Sequence, residues 1–80
     1  MKARVYVTLK KTVLDPQGQT ILRALEGLGY QTIKGVRQGK VFEIQLNGLS
    51  KDAARQQVQR IAKDVLTNPV IEEFRYELED

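Results

Sequence analysis

The run Ala3-Arg4-Val5-Tyr6-Val7-Thr8-Leu9-Lys10 alternates without a break. In an extended chain Ala3, Val5, Val7 and Leu9 fall on one face, and Arg4, Tyr6, Thr8 and Lys10 on the other. A strand with one apolar face must have that face covered, so the chain is bound to a layered fold. Eighty residues allow one small domain. A domain of this size buries a limited share of its surface, and self-association is a common further source of stability.

Two later runs have the spacing needed to cover a sheet. Over residues 16–28, Ile21, Leu22, Leu25 and Leu28 form one helical stripe, and Gly29 is a natural stop. Over residues 51–66, Ala54, Val58, Ile61, Ala62 and Val65 do the same behind Ser50, a good N-cap. The stretch Val13-Leu14-Asp15-Pro16-Gln17-Gly18 opens the first of these helices. Asp15 can accept from a free amide of the first turn, and Pro16 suits the first helical position, where no donor is needed. Gly18 is odd there, since it costs about 1 kcal/mol relative to alanine. Either it is tolerated near a fraying end, or another backbone approaches closely.

The remaining segments read as strands. Tyr30–Val36 predicts a second strand, with a bulge at Gly35 because Ile33 and Val36 have opposite parity. Arg37-Gln38-Gly39-Lys40 predicts a tight hairpin with Gly39 at positive φ. A glycine between two cations either holds an anion or is an ordinary exposed turn. Val41–Leu46 follows as a third strand with Phe42, Ile44 and Leu46 on one face, ended by Asn47-Gly48. Thr67-Asn68-Pro69 breaks the second helix. The last strand starts at Val70, with Phe74, Tyr76 and Leu78 on one face; its acidic residues can pair with Arg4 or Lys10 if first and last strands are neighbours.

The order β-α-β-β-α-β predicts an α+β, two-layer, ferredoxin-like domain over residues 1–80: a four-stranded antiparallel sheet with two helices on one face. The opposite face, carrying Tyr6 and Thr8, is left open to a second copy, to a different protein or to solvent.

The chain has no His and no Cys. It therefore lacks the commonest general base, the commonest transition-metal ligand and any thiolate nucleophile. No phosphate-binding glycine motif or metal-spaced ligand set occurs. Glu72 and Glu73 are adjacent in a strand, so they point to opposite faces and make no acid–base pair. Residues 1–69 carry twelve Lys/Arg against five Asp/Glu, whereas residues 70–80 carry one against five. The basic outer face of the second helix either meets phosphates or is simply solvated; no aromatic residue is interleaved with it, so nucleic acid is not an expected partner. No apolar run is long enough for a membrane span, and the expected location is the cytoplasm. These readings leave a non-catalytic binding or assembly module.

The segments Val5-Tyr6-Val7-Thr8-Leu9-Lys10, Val13-Leu14-Asp15-Pro16-Gln17-Gly18, Val36-Arg37-Gln38-Gly39-Lys40 and Asn68-Pro69-Val70-Ile71-Glu72 closely resemble the pattern of the PurS family, small subunits of phosphoribosylformylglycinamidine synthase. The resemblance runs nearly end to end. It departs slightly at Val65-Leu66-Thr67, where Leu-Leu-Ala is more usual, and at Ala62, where a Cys is often found. It implies a chain without catalytic residues or a cofactor of its own. ATP and Mg²⁺ would be used by the large subunit, PurL, and glutamine would be hydrolysed by PurQ. The chain would form a homodimer or tetramer and join PurL and PurQ, supporting ammonia transfer. The family-marked loops are then the expected interface. Leu14, Asp15, Pro16, Gln17 and Gly18 would present a fixed helix start, and Arg37, Gly39 and Lys40 a basic turn. Asn68, Pro69 and Glu72 would fix the start of the last strand, and Tyr6 would face a partner from the open side of the sheet. The same element order also fits a small-molecule-sensing dimer of the ACT type, which is the alternative.

Overall fold

A computed structural model describes residues 1–79. Its elements are β1 (Lys2–Leu9), α1 (Pro16–Gly27), β2 (Gly39–Gln45), α2 (Lys51–Ile61), a π-helical turn (Ala62–Leu66) and β3 (Glu72–Glu79). Among the described residues the sheet has three antiparallel strands in the order β2-β1-β3. The alternation of β1 sets its register: Val5 lies opposite Phe42 and Tyr76, and Val7 opposite Lys40 and Phe74.

The core sits between this face and α2. Ala3, Val5, Val7, Val58 and Ala62 are buried together, with Phe42, Ile44, Leu46, Phe74, Tyr76 and Leu78 packed around them. Ala54 and Ala62 are fully buried, and their small side chains let the helix approach the strands. Ser50 caps α2 through its hydroxyl, which accepts from Ala53 N–H at 3.2 Å. At the other end the Thr67 N–H reaches back five residues to the Ala62 carbonyl, at 3.1 Å, and the Thr67 hydroxyl donates to the same oxygen. That wider turn carries the helix through to Leu66, where the sequence ends it.

The second expected strand is absent. Residues 30–38 join no sheet, and Gly39 and Lys40 lie inside β2 rather than in a hairpin turn. The positive-φ glycines are Gly29 and Gly48, not Gly39. The four-stranded β-α-β-β-α-β arrangement is thereby corrected to three strands in the order β-α-β-α-β. The cause is long-range. The Gln38 N–H, which a hairpin would use, is donated to the Asp15 carboxylate, and Arg37 is bound to the loop after β1.

Nor do both helices cover the sheet. None of the apolar residues of α1 joins the core cluster, and Ile21 and Leu28 are 41% and 76% exposed. The molecule measures 50 × 27 × 14 Å with a radius of gyration of 16.1 Å. A compact chain of this length would have about 12 Å. The excess is the projection of residues 16–36 as an arm away from the sheet.

The open sheet face is polar. Arg4 pairs with Glu79 and, at 3.8 Å, with Glu43; Lys2 also reaches Glu43, at 3.6 Å. The expected pairing of Arg4 with acidic residues of the last strand is therefore present. Asp80, counted with those acidic residues, lies outside the described residues.

Candidate functional site

The three family-marked loops meet at one end of the sheet, around the root of the arm. Asp15 is the centre of this junction. It caps α1 as its sequence position predicts, one oxygen accepting from Gly18 N–H at 2.9 Å. The other oxygen accepts from Gln38 N–H at 2.7 Å. The residue is 4% exposed. These two backbone donors, Gln38 first, hold its carboxyl below the ordinary value of 3.8, helped by the nearby Arg37 charge.

Arg37 makes the reciprocal link. One guanidinium nitrogen donates to the carbonyls of Lys10 and Val13, both at 2.9 Å. The rigid fork of donors suits arginine to hold two carbonyls at once. Val13 N–H also donates to Lys10 O at 2.9 Å, so the loop is tied internally as well. Arg37 is thus not part of a free basic turn. Its charge is committed to closing the β1–α1 loop.

Gly18 is explained here. A Cβ at this position would overlap the Val36 carbonyl oxygen. The reading as a close backbone approach is the correct one. Gly39 is also needed for space, because a Cβ would lie 2.7 Å from Val7 O and 2.8 Å from the Thr8 methyl.

The third loop enters from β3. The Lys10 N–H donates to Ile71 O at 2.8 Å. The Asn68 side chain accepts from Val70 N–H at 3.1 Å, and the Glu72 carboxylate accepts from Asn68 N–H at 2.7 Å. Pro69 is exposed within that turn. Glu72 also faces Lys40 Nζ at 3.9 Å, which joins the two edge strands. A cleft of about 270 Å³ opens between these residues, with Val7 and Leu9 on its floor and Asp15, Gln38, Lys40 and Glu72 on its rim.

Eleven of the twelve singled-out residues therefore take part in the junction or flank it, with Leu14, at 68% exposed, and Gln17 on its surface. Pro16 starts α1 beside them. Tyr6 does not belong. It lies on the far side of the sheet with the Arg75 guanidinium 3.9 Å above its ring. Arg75 also bonds Glu77 at 2.9 Å, and this, with Tyr6, holds the Glu77 carboxyl below its ordinary value. Sequence reasoning missed the backbone partners at the junction: the Lys10, Val13 and Val36 carbonyls and the Gln38 N–H. Backbone groups leave no residue signature. The traces were the glycine at position 18 and the broken parity between Ile33 and Val36.

Among the described residues no group of His, Cys, Asp or Glu is placed to hold a metal ion, and no helix is long and apolar enough to cross a membrane. The side chains of Asp15 and Arg37 fix backbone geometry at the junction.

Comparison with known proteins agrees with the motifs. The family model PurS, described as phosphoribosylformylglycinamidine (FGAM) synthase, matches residues 2–80. The PurS subunit of Methanocaldococcus jannaschii is 38% identical over 98% of this chain and 94% of its own length. A solved structure of Bacillus subtilis PurS superposes with a TM-score of 0.87 at 39% identity, covering 99% of this chain and 98% of that one. A chain in the structure of PurLQS from Thermotoga maritima superposes with a TM-score of 0.86 at 30% identity, covering 95% and 93%. The chain belongs to the PurS family of phosphoribosylformylglycinamidine synthase.

Proposed function

We propose that this chain is the assembly subunit of phosphoribosylformylglycinamidine synthase, joining the PurL and PurQ subunits in purine biosynthesis without catalysing either half-reaction. The observation that carries the reading is its likeness, at 30% identity, to a chain of a PurLQS complex. The residue chemistry supports it. With no His or Cys, the chain lacks a thiol nucleophile and an imidazole base, and its buried carboxylate is engaged by two backbone amides. On this reading ATP and Mg²⁺ act on the large subunit, and the complex is cytoplasmic.

The chain self-associates through its arm, with a second copy as the occupant of the α1 stripe. A helix of twelve residues is marginal in water on its own. Here it exposes Ile21 and Leu28, followed by Tyr30 at 55% exposure. The helix carries one cation and one anion, Arg23 and Glu26. Both lie off the apolar stripe, so a two-fold copy can pack along it without burying either charge. The polar open face of the sheet, with its ion pairs, is the poorer candidate. The ACT-type alternative rested on the β-α-β-β-α-β order, which the chain does not adopt.

Sedimentation of the chain alone and with PurL and PurQ tests both parts. The expected result is a homo-oligomer that Leu25→Asp breaks into monomers, and a ternary complex in the mixture. A monomer alone would move the arm to a PurL or PurQ surface. Absence of a complex would overturn the assembly reading.

A further inference from the structure

We propose that the Asp15–Arg37 junction is a clamp that sets the direction of the arm, and that this direction governs self-association. The inference rests on the reading that the arm is the homo-oligomer contact.

The geometry is specific. The arm leaves the body after Asp15 and returns before Gly39, so its two ends must be tied together for it to project in one direction. Asp15 ties them through Gln38 N–H at 2.7 Å, across 23 positions of sequence. Arg37, on the returning end, ties back to Lys10 and Val13 on the leaving end, each at 2.9 Å. Gly18 lets the Val36 carbonyl rest against the first turn of α1. Beyond these contacts nothing among the described residues anchors the arm to the core cluster. The two charged side chains exchange their bonds with backbone groups, not with each other. Each therefore fixes main-chain position, which is what an orientation device requires. Hydrogen bonds to charged groups are also the stronger ones.

A pre-directed arm binds a second copy without first losing its freedom, whereas a loose arm pays that entropy on association. Asp15 and Arg37 thus act as positioning residues, through the chain's own backbone.

The test uses the full chain. Asp15→Asn keeps the shape but replaces one acceptor oxygen with a donor nitrogen; Arg37→Gln removes the forked cation. The absence of Cys allows single spin labels at Glu26→Cys and Glu73→Cys, with labelled chain diluted into unlabelled chain. Hydrogen exchange at Val5 and Val7 checks that the sheet stays folded. The clamp predicts that either variant broadens the label-to-label distance distribution and weakens self-association by about tenfold or more, with sheet protection unchanged. Arg37→Lys, a single point donor, should restore association only in part. If Leu25→Asp dissociates the oligomer while Asp15→Asn and Arg37→Gln leave both association and the distance distribution intact, the clamp is overturned and the arm contact stands. If Leu25→Asp itself has no effect, the arm contact fails and the clamp's role in association fails with it.

Discussion

Asp15 and Gln38 are 23 positions apart in sequence and 2.7 Å apart at the hydrogen bond that joins them. That bond replaces the hairpin that the sequence around Gly39 would otherwise make. It turns what would be a strand of a four-stranded sheet into the returning limb of an arm.

The depressed Asp15 pKa has a definite pH signature. A carboxyl whose folded value lies below its ordinary 3.8 adds stability above that value, and this stability is lost as pH falls through the folded-state value. Glu77 acts in the same direction. Urea unfolding of the native chain should therefore be flat above about pH 5 and weaken below about pH 4. The difference between native and Asp15→Asn should be largest on the plateau and shrink in acid. A difference independent of pH would contradict the assignment.

The glycines give a contrast within one helix. Gly18→Ala forces a Cβ against the Val36 carbonyl. It should destabilise the chain by about 1–3 kcal/mol, the range for overpacking. Gly27→Ala meets nothing within 4 Å. It should be neutral or stabilising by up to about 1 kcal/mol. Chemical denaturation of both variants decides this, and equal effects would remove the close approach from the account.

Burial and surface charge should separate in the sheet. Val58 is fully buried in the core. Val58→Ala should cost about 2–3 kcal/mol, from lost transfer energy and the cavity left behind. Arg4 pairs with Glu43 and Glu79 on the open face. Arg4→Ala should change stability by less than about 1 kcal/mol, and by less still in high salt. Thermal melts at two ionic strengths provide the check.

The parts of the fold written in local pattern were readable from sequence. Alternation placed β1 and its buried face, Phe42, Ile44, Phe74, Tyr76 and Leu78 fell on the expected side, and Asp15 and Ser50 cap their helices. The lost strand was not readable, because Tyr30–Val36 has acceptable strand composition. What excludes it is a pair of distant contacts from Asp15 and Arg37 to backbone groups. The fate of α1 was hidden for a related reason. An apolar stripe specifies that something covers it, but not whether that is the chain's own sheet. At the junction, the motif residues were identified, but Arg37 was expected to face a partner and instead faces the chain's own carbonyls.

The most direct test of the assembly role is reconstitution. PurL and PurQ are mixed with ATP, Mg²⁺ and formylglycinamide ribonucleotide, with and without this chain, using glutamine or ammonia as the nitrogen source. The account predicts that glutamine-dependent synthesis requires the chain, whereas ammonia-dependent synthesis by PurL does not depend on glutamine hydrolysis and persists. Glutamine-dependent synthesis that proceeds equally well without the chain would contradict it.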